Sequence, residues 1–396
     1  MDLQPSKRQR ALMEQARELT ETRLSVRAAK SDRDATFPFD DINDLRNAGF
    51  LGLCVPERFG GFGADLETYC LVSSEIAKGN GSTALCFNMH CLTMLMMGEL
   101  SEPLEMTSEQ RKRHERLRSE KFAEVIEKGV FYGQPHSEPV EEGETDSSLP
   151  QGGRRFGTTA EKVDGGYTIN GRKFFVSLSD AADYFSTPCI LGNSDAPWID
   201  RTLYLKVPRN APGVTFDGDW NPIGMRGTVS RNMVLKDVFV PDDAEILPPG
   251  GFGRLFQVQV HGPLTFTATF LGLMQQAYEL AVKFLAGTEP GMPAKGEVSP
   301  VQGQALAELQ FTVEATQALY WRSISEAKLP PHDRNPATGS RGAYHGTAQR
   351  GGCDAGSDAD LWRSRLAETV SVRTLRPRRP RSIRHAALDA GSSDRG

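Results

Sequence analysis

The stretch GRKFFVSLSDAA, residues 171–182, places two adjacent aromatic residues and two serines after a sharp turn signal. The Asn170-Gly171 dipeptide at its start is a strong indicator of a β-hairpin turn, so we expect a strand to follow. Because side chains alternate between faces along a strand, Phe175 and Ser177 are predicted to share one face. This would place a flat apolar ring beside a small hydroxyl, although a core aromatic residue and an ordinary strand serine give the same pattern.

A second stretch suited to chemistry is GMRGTVSR, residues 224–231, in which arginines and hydroxyls alternate. Arg226 and Arg231 offer fixed guanidinium donors that suit a phosphate or a carboxylate. Thr228 and Ser230 offer hydroxyls that can orient a carbonyl or thioester oxygen. The alternative for Arg226 is structural, as the partner of an acidic residue in the same part of the chain.

The composition of the chain excludes several classes of function. With 396 residues, 38% of them hydrophobic, the chain can bury a large core, and its net charge of -5 gives no overall basic field for nucleic acid or an anionic membrane. Six scattered cysteines and a charged N-terminus without an apolar run favour reduced thiols and a cytoplasmic location. The most apolar stretch, residues 84–97, is too short to span a bilayer and predicts a buried helix.

The hydrophobic period changes twice along the chain and predicts an α+β multidomain fold. Residues 1–128 carry apolar positions three or four apart, which predicts an N-terminal all-helical domain. Residues 129–247 contain short alternating runs separated by Gly, Pro, Asn and Asp, which predicts a central β-sandwich or barrel domain. Residues 248–328 return to a helical period over two long amphipathic segments, which predicts a partial C-terminal helical bundle.

The last segment, residues 329–396, differs in composition from the rest of the chain. Residues 331–396 contain twelve arginines and no lysine among Gly, Ala, Ser, Asp and Pro. One interpretation is a disordered Arg-rich tail. The interpretation that we prefer is an out-of-frame reading of a GC-rich gene, because such codons give arginine without lysine.

Five stretches, in order along the chain, resemble signatures of the acyl-CoA dehydrogenase family. They are LRNAGFLGLCVPERFGGFG at 45–63, HSEP at 136–139, INGRKFFVS at 169–177, GMRGTVSRNMVLKDVFVP at 224–241 and FLGLMQQAYELAVKFL at 270–285. The resemblance covers residues 10–328 and implies a flavoprotein that binds FAD and removes hydrogen across the α,β-bond of an acyl-CoA thioester. It also implies an electron-accepting flavoprotein as partner and a homo-oligomer.

The resemblance assigns roles to particular residues. Ser177 stands where the family has a threonine near the reactive nitrogen of the flavin, and Phe175 stands where it has a tryptophan beside the ring. His136 and Ser137 would line the pyrimidine side of the ring, and Thr145 could replace the serine of a Gly-x-Gly-Ser-Asp motif that reads VEEGETD here. Arg226, Thr228 and Arg231 are implied to face the substrate. The full set implied for the cofactor is Gln134, His136, Ser137, Thr145, Phe175, Val176 and Ser177.

Two family features are missing from this sequence. The reaction needs a carboxylate base for the α-proton, yet the start of the long helical segment reads VHGPLTFTATFLGLM, with no acid before Glu279. His261 is the one titratable candidate there, and a lone histidine is more often structural. The Arg-x-x-Phe-Gly motif that clamps the FAD pyrophosphate is replaced by EPGMPAKGEVSPVQ.

These departures leave three interpretations open. The first, which we favour, is an acyl-CoA dehydrogenase-like enzyme with impaired catalysis. The second is a flavin-dependent monooxygenase on the same scaffold, in which histidines such as His90 and His261 serve the reaction. The third is a non-catalytic remnant. No metal site is expected, and the sequence does not indicate the acyl-chain length, the electron acceptor or the number of subunits.

Overall fold

The structure is a computed structural model that describes residues 5–138, 157–258, 261–288 and 298–327, with only the backbone of residues 256–258 and 261–263. The candidate residue Thr145 and the Arg-rich segment 329–396 lie outside the described residues. Within these ranges the elements follow the order helices, strands, helices. The predicted α+β fold, with a helical first part, a central β part and C-terminal helices, is therefore confirmed.

The N-terminal part consists of six α-helices. Side chains that cap the exposed backbone amides begin several of them: Ser6 and Gln9 form a capping box on α1, Asn80 caps α5, and Thr107 and Gln110 form a capping box on α6. The α5 helix is buried over nearly its whole length, as the apolar run predicts. The bounds are α1 Lys7–Leu19, α2 Ser25–Asp34, α3 Phe39–Asn47, α4 Leu66–Gly79, α5 Gly81–Met97 and α6 Ser108–Lys128.

The described residues of the central part form one mixed sheet of eight strands. Seven of them are hydrogen-bonded in the order β6-β7-β3-β2-β4-β5-β8, and β1 pairs with β4 in parallel. The long antiparallel pair β3 and β7 brings the end of β3 close to the segment before β7. The bounds are β1 Tyr132–Gly133, β2 Thr159–Val163, β3 Gly166–Val176, β4 Tyr184–Leu191, β5 Thr202–Pro208, β6 Val214–Asp217, β7 Arg231–Pro241 and β8 Glu245–Leu247.

The hairpin predicted at Asn170-Gly171 was placed wrongly. The turn between β2 and β3 is Asp164-Gly165, where Gly165 has φ 74°, and Asn170-Gly171 lies inside β3. At that point the register with β7 shifts, and the Asn170 side chain accepts from the Asp237 backbone amide at 2.8 Å. Asp237 takes φ 51°, so the dipeptide faces a β-bulge in the neighbouring strand instead of turning the chain.

In the part of the chain that the structure describes, three helices follow the sheet: α7 Gly251–Val258, α8 His261–Ala286 and α9 Pro300–Ala327. The α8 helix packs closely on α4, because Gly272 has no side chain where a Cβ would come within 2.2 Å of the Ser74 carbonyl oxygen. Tyr320 of α9 donates to the Leu264 carbonyl of α8 at 2.8 Å. Among the described residues, none of the helices combines the length and the apolar character needed to cross a membrane.

Candidate flavin site

Phe175 and Ser177 meet at the end of β3 through a turn and not through strand alternation. The strand ends at Val176 after a register shift, and Phe175 has a left-handed backbone with φ 52°. Its ring is 67% exposed, whereas Ser177 is half-buried in the following turn. The prediction that the two share a strand face was therefore wrong, because a left-handed residue interrupts the alternation. A large exposed aromatic ring held in this backbone conformation is unusual and points to a ligand surface.

Trp220 is a neighbour of Phe175 that sequence reasoning missed. The two ring centroids are 6.3 Å apart with an interplanar angle of 73°, and the Trp220 indole donates to the Met225 carbonyl at 3.3 Å. Trp220 lies in the loop after β6, 45 positions along the chain from Phe175. No local pattern links such distant residues; the pairing of β7 with both β3 and β6 brings them together.

The segment after β1 reaches the same place. The Phe174 amide donates to the Ser137 carbonyl at 2.8 Å, which puts Ser137 next to the Phe175 end of β3. Ser137 itself is exposed. Two stretches that are almost forty residues apart in sequence, HSE and FFVS, therefore form one edge of the candidate site.

A buried ion pair fixes this arrangement. The Lys173 ammonium is fully buried, pairs with the Glu138 carboxylate and donates to the Pro188 carbonyl at 2.7 Å. Glu138 also accepts from the amides of Gly157 and Thr158, the latter at 3.3 Å. Burial lowers the pKa of Lys173, and the Glu138 charge opposes that shift. The pair therefore holds the segment that carries Ser137 against β3.

Buried Gln134 and half-buried His136 belong to one hydrogen-bond network behind the site. The Gln134 amide donates to Thr93 Oγ1 at 3.0 Å and to the Tyr204 hydroxyl at 3.1 Å, and His136 Nε2 lies 3.3 Å from the same hydroxyl. The His136 ring also packs edge-on against Phe252. Burial, with a smaller contribution from Lys173, lowers the pKa of His136 to about 3. His136 is therefore neutral at physiological pH and can only exchange hydrogen bonds.

His90 has a structural environment. Its Nδ1 accepts from the Tyr132 amide at 3.2 Å, so Nε2 carries the hydrogen and donates to the Leu51 carbonyl at 2.8 Å. Burial lowers the pKa of this ring to about 4. Because both ring nitrogens are engaged, His90 has no free atom for proton transfer. His261 is the first residue of α8, and its side chain lies outside what the structure describes.

The GMRGTVSR segment mostly bonds to the protein itself. Arg226 donates to the Asp32 carbonyl at 2.6 Å and to the Asn221 side chain at 2.5 Å, which ties the segment to the end of α2. Arg226 therefore bonds to a backbone carbonyl and an amide side chain, and not to the acidic residue considered from the sequence. Thr228 is buried, and Arg231 is half-buried and ion-paired with Asp180. Of the three residues implied for substrate, only Arg231 therefore combines partial exposure with a charged partner on the surface.

The residues present fit an isoalloxazine ring. Such a ring needs an apolar surface for its face and hydrogen-bonding groups at its edge. Phe175 supplies an exposed aromatic surface, and Ser177 and Ser137 supply hydroxyls beside it. The neighbouring titratable group His136 is neutral, so it adds no charge next to the ring.

Two family models match this chain. The N-terminal domain of acyl-CoA dehydrogenase matches residues 6–114, and the middle domain of acyl-CoA dehydrogenase matches residues 150–238. Together they cover half of the sequence, and the chain belongs to the acyl-CoA dehydrogenase family. Members of this family use a flavin, which is FAD or FMN in relatives.

Individual relatives show the range of the family. The chain is 29% identical to the putative acyl-CoA dehydrogenase YdbM of Bacillus subtilis (strain 168) over 66% of its own length and 63% of that protein. It is also 29% identical to dibenzothiophene monooxygenase of Rhodococcus qingshengii, over 65% of this chain and 58% of the monooxygenase. The chain thus spans less than two thirds of either relative.

A solved structure supports the fold. KijD3 in complex with FMN and a dTDP-linked amino-keto sugar is 21% identical and superimposes with a TM-score of 0.69, over 93% of this chain and 83% of KijD3. At that identity the likeness concerns the fold alone.

Proposed function

We propose that this chain binds FAD with the isoalloxazine ring against Phe175 and Ser177 and is an acyl-CoA dehydrogenase-like oxidoreductase. The observation that carries the proposal is the exposed, left-handed Phe175 beside the Ser177 hydroxyl. Ser137 and Val176 are proposed to flank the same edge, while Gln134 and His136 support it from behind. Thr145 keeps its proposed role as a further flavin contact, although it lies outside the described residues.

The reaction proposed is α,β-dehydrogenation of an acyl-CoA thioester, for which bound flavin supplies a two-electron acceptor. The contribution of this chain is to bind and orient. Arg231 offers a guanidinium to an anionic group of the substrate, and Arg226 and Thr228 hold the backbone of the same segment in place. Neutral His136 offers hydrogen bonds without a proton that could leave at physiological pH.

We also propose that turnover by this chain is impaired. From Gly251 to Tyr278 the sequence contains no aspartate or glutamate, and Glu279, the first acid, pairs with Lys78 at 3.8 Å. A positioned base typically contributes about 100- to 10,000-fold to such a step, so its absence lowers the rate by a similar factor. His261 remains the proposed substitute.

The second candidate is a flavin-dependent monooxygenase. The lack of an acidic residue from Gly251 to Tyr278 favours it, because oxygen chemistry on a reduced flavin needs no abstraction of an α-proton. The likeness to dibenzothiophene monooxygenase favours it as well. The engagement of both His90 nitrogens removes one of the two histidines on which this alternative depended.

The partners proposed are an electron-accepting flavoprotein and further copies of this chain in the cytoplasm. Large apolar side chains are exposed along the last two helices, and a homo-oligomer would cover them. They are Leu280, Val282 and Phe284 of α8 and Val301, Phe311 and Leu319 of α9.

Flavin titration tests the site. We expect Phe175→Ala to weaken flavin binding by about 0.5–1.5 kcal/mol, roughly two- to tenfold in Kd, because an aromatic contact is lost. Phe239→Ala is the matched control, since Phe239 is 51% exposed on β7 opposite Thr168, at the other end of β3 from Phe175, and should leave the Kd unchanged. Equal affinities of all three proteins, or no flavin binding by the wild type, would contradict the proposed site.

Anaerobic mixing with acyl-CoA tests the reaction. Slow bleaching of the bound flavin by acyl-CoA supports the dehydrogenase, with a rate about 100-fold or more below that of a relative with a glutamate base. Bleaching at the relative's full rate would overturn the proposed impairment. No bleaching by acyl-CoA, together with consumption of oxygen after chemical reduction of the flavin, would favour the monooxygenase instead.

A further inference from the structure

Three hydroxyls behind the candidate site form a chain that ends on a backbone carbonyl. Ser177 Oγ lies 2.8 Å from Ser230 Oγ, and Ser230 Oγ lies 2.7 Å from Thr228 Oγ1. Thr228 Oγ1 in turn donates to the Met225 carbonyl at 2.9 Å. Ser230 and Thr228 are buried, so Ser177 is the one member of the chain that is open to the site beside Phe175.

The direction of every hydrogen in this chain follows from counting. Each hydroxyl has one hydrogen, and a carbonyl oxygen can only accept. Thr228 therefore gives its hydrogen to Met225 and must accept from Ser230. Ser230 has then used its own hydrogen and must accept from Ser177. This is the one assignment that makes all three contacts, and it leaves Ser177 with only lone pairs for a ligand.

The surrounding backbone holds the chain rigidly. The Leu178 amide donates to the Thr228 carbonyl at 3.0 Å, and the buried Ser179 hydroxyl donates to the Val229 carbonyl at 2.7 Å. Val229 has φ 44°, a left-handed conformation that is strained for a β-branched residue. Such strain persists only where neighbouring bonds fix the backbone. The three hydroxyls are therefore held within hydrogen-bonding distance of one another.

We propose that Ser230 and Thr228 are positioning residues that make Ser177 a hydrogen-bond acceptor and so favour the reduced over the oxidised flavin. This inference rests on the proposed function, in which the flavin lies against Ser177. The reactive ring nitrogen of oxidised flavin has only a lone pair, whereas addition of two electrons and a proton gives it an N–H group. A Ser177 oxygen that can only accept matches that N–H and opposes the lone pair of the oxidised form.

The test is the two-electron midpoint potential of the bound flavin, measured during reduction by dithionite with protons taken from the buffer. Ser230→Ala removes the acceptor for Ser177, which can then turn its hydrogen outward and bind the oxidised flavin. We expect the preference for reduced flavin to fall by up to about tenfold, a shift of the potential of about 30 mV to more negative values. Thr228→Val frees the Ser230 hydrogen for Ser177 and should shift the potential in the same direction.

Two controls separate this effect from a general disturbance. Ser74→Ala removes a serine hydroxyl that is 5% exposed, like that of Ser230, but bonds to carbonyls between α4 and α8, so it should leave the potential unchanged. In a Ser177→Ala background, Ser230→Ala should have no further effect on the potential, because it acts only through Ser177.

The outcomes distinguish this inference from the proposed function. A wild type that binds no flavin would overturn both. A flavin-bound wild type whose potential is unchanged or raised in Ser230→Ala and Thr228→Val would overturn the inference alone. The same would follow if Ser230→Ala shifted the potential equally with and without Ser177.

Discussion

The buried pair of Lys173 and Glu138 gives a prediction about stability. Lys173→Met keeps the length and the apolar stem of the side chain but removes the ammonium that bonds to Glu138 and to the Pro188 carbonyl. Among the described residues, Glu138 then keeps a nearly buried negative charge with the amides of Gly157 and Thr158 as its remaining partners. Breaking a buried pair on one side costs about 3–5 kcal/mol, so we expect a loss of that size in the free energy of unfolding.

Urea unfolding followed by tryptophan fluorescence measures this loss. Lys162→Met is the matched control, because Lys162 makes an ion pair with Asp242 on the surface of the same sheet and such pairs contribute about 0–1 kcal/mol. The double variant Lys173→Met/Glu138→Gln removes the uncompensated charge and should recover part of the loss. If Lys173→Met were no more destabilising than Lys162→Met, the pair would not be buried as the structure shows it.

Two further predictions concern pH and backbone packing. Burial lowers the pKa of three histidines, so the unfolded chain binds protons more readily than the folded protein as the pH drops from about 6.5 towards 4. The free energy of unfolding should fall by at most about 1.4 kcal/mol per pH unit for each histidine, and the urea midpoint should fall with it; an unchanged midpoint between pH 7 and pH 5 would refute this. Gly171→Ala should lower the free energy of unfolding by about 1–3 kcal/mol in the same assay, because the new Cβ would lie 2.7 Å from the Thr158 Cα. Gly224→Ala is the control, since its Cβ would meet nothing within 4 Å and should leave the stability unchanged. Equal effects of the two substitutions would contradict the packing at Gly171. The histidines are His90 and His114, with pKa values of about 4, and His136, with a pKa of about 3.

The sequence determined the order of helical and β parts and the family. Hydrophobic period is a local property, so the change from helix to strand and back is readable without contacts, and the buried α5 helix follows from its apolar run. The motifs that resemble the family are also local, and the two family models match the stretches that contain two of them, at 45–63 and 169–177, and most of a third, at 224–241. The domain limits and the residues assigned to flavin and substrate remain predictions.

The tertiary structure decided how the candidate site is built. Asp164-Gly165 and Asn170-Gly171 both suit a turn. The pairing of β3 with β7, together with the bulge at Asp237, places the turn at Asp164-Gly165 and keeps Asn170-Gly171 within a continuous strand. The left-handed backbone of Phe175 breaks the alternation on which the sequence argument relied.

The same holds for the polar groups of the site. Contacts between residues that are far apart in sequence set the roles of these groups. They include the hydrogen bonds of His90, the ion pair of buried Lys173 with Glu138, and the hydroxyl chain from Ser177 to Thr228. A side chain's role as donor, acceptor or charge depends on which atoms surround it. Local patterns carry no information about those atoms, so only the packing of the strands and helices against one another could fix these roles.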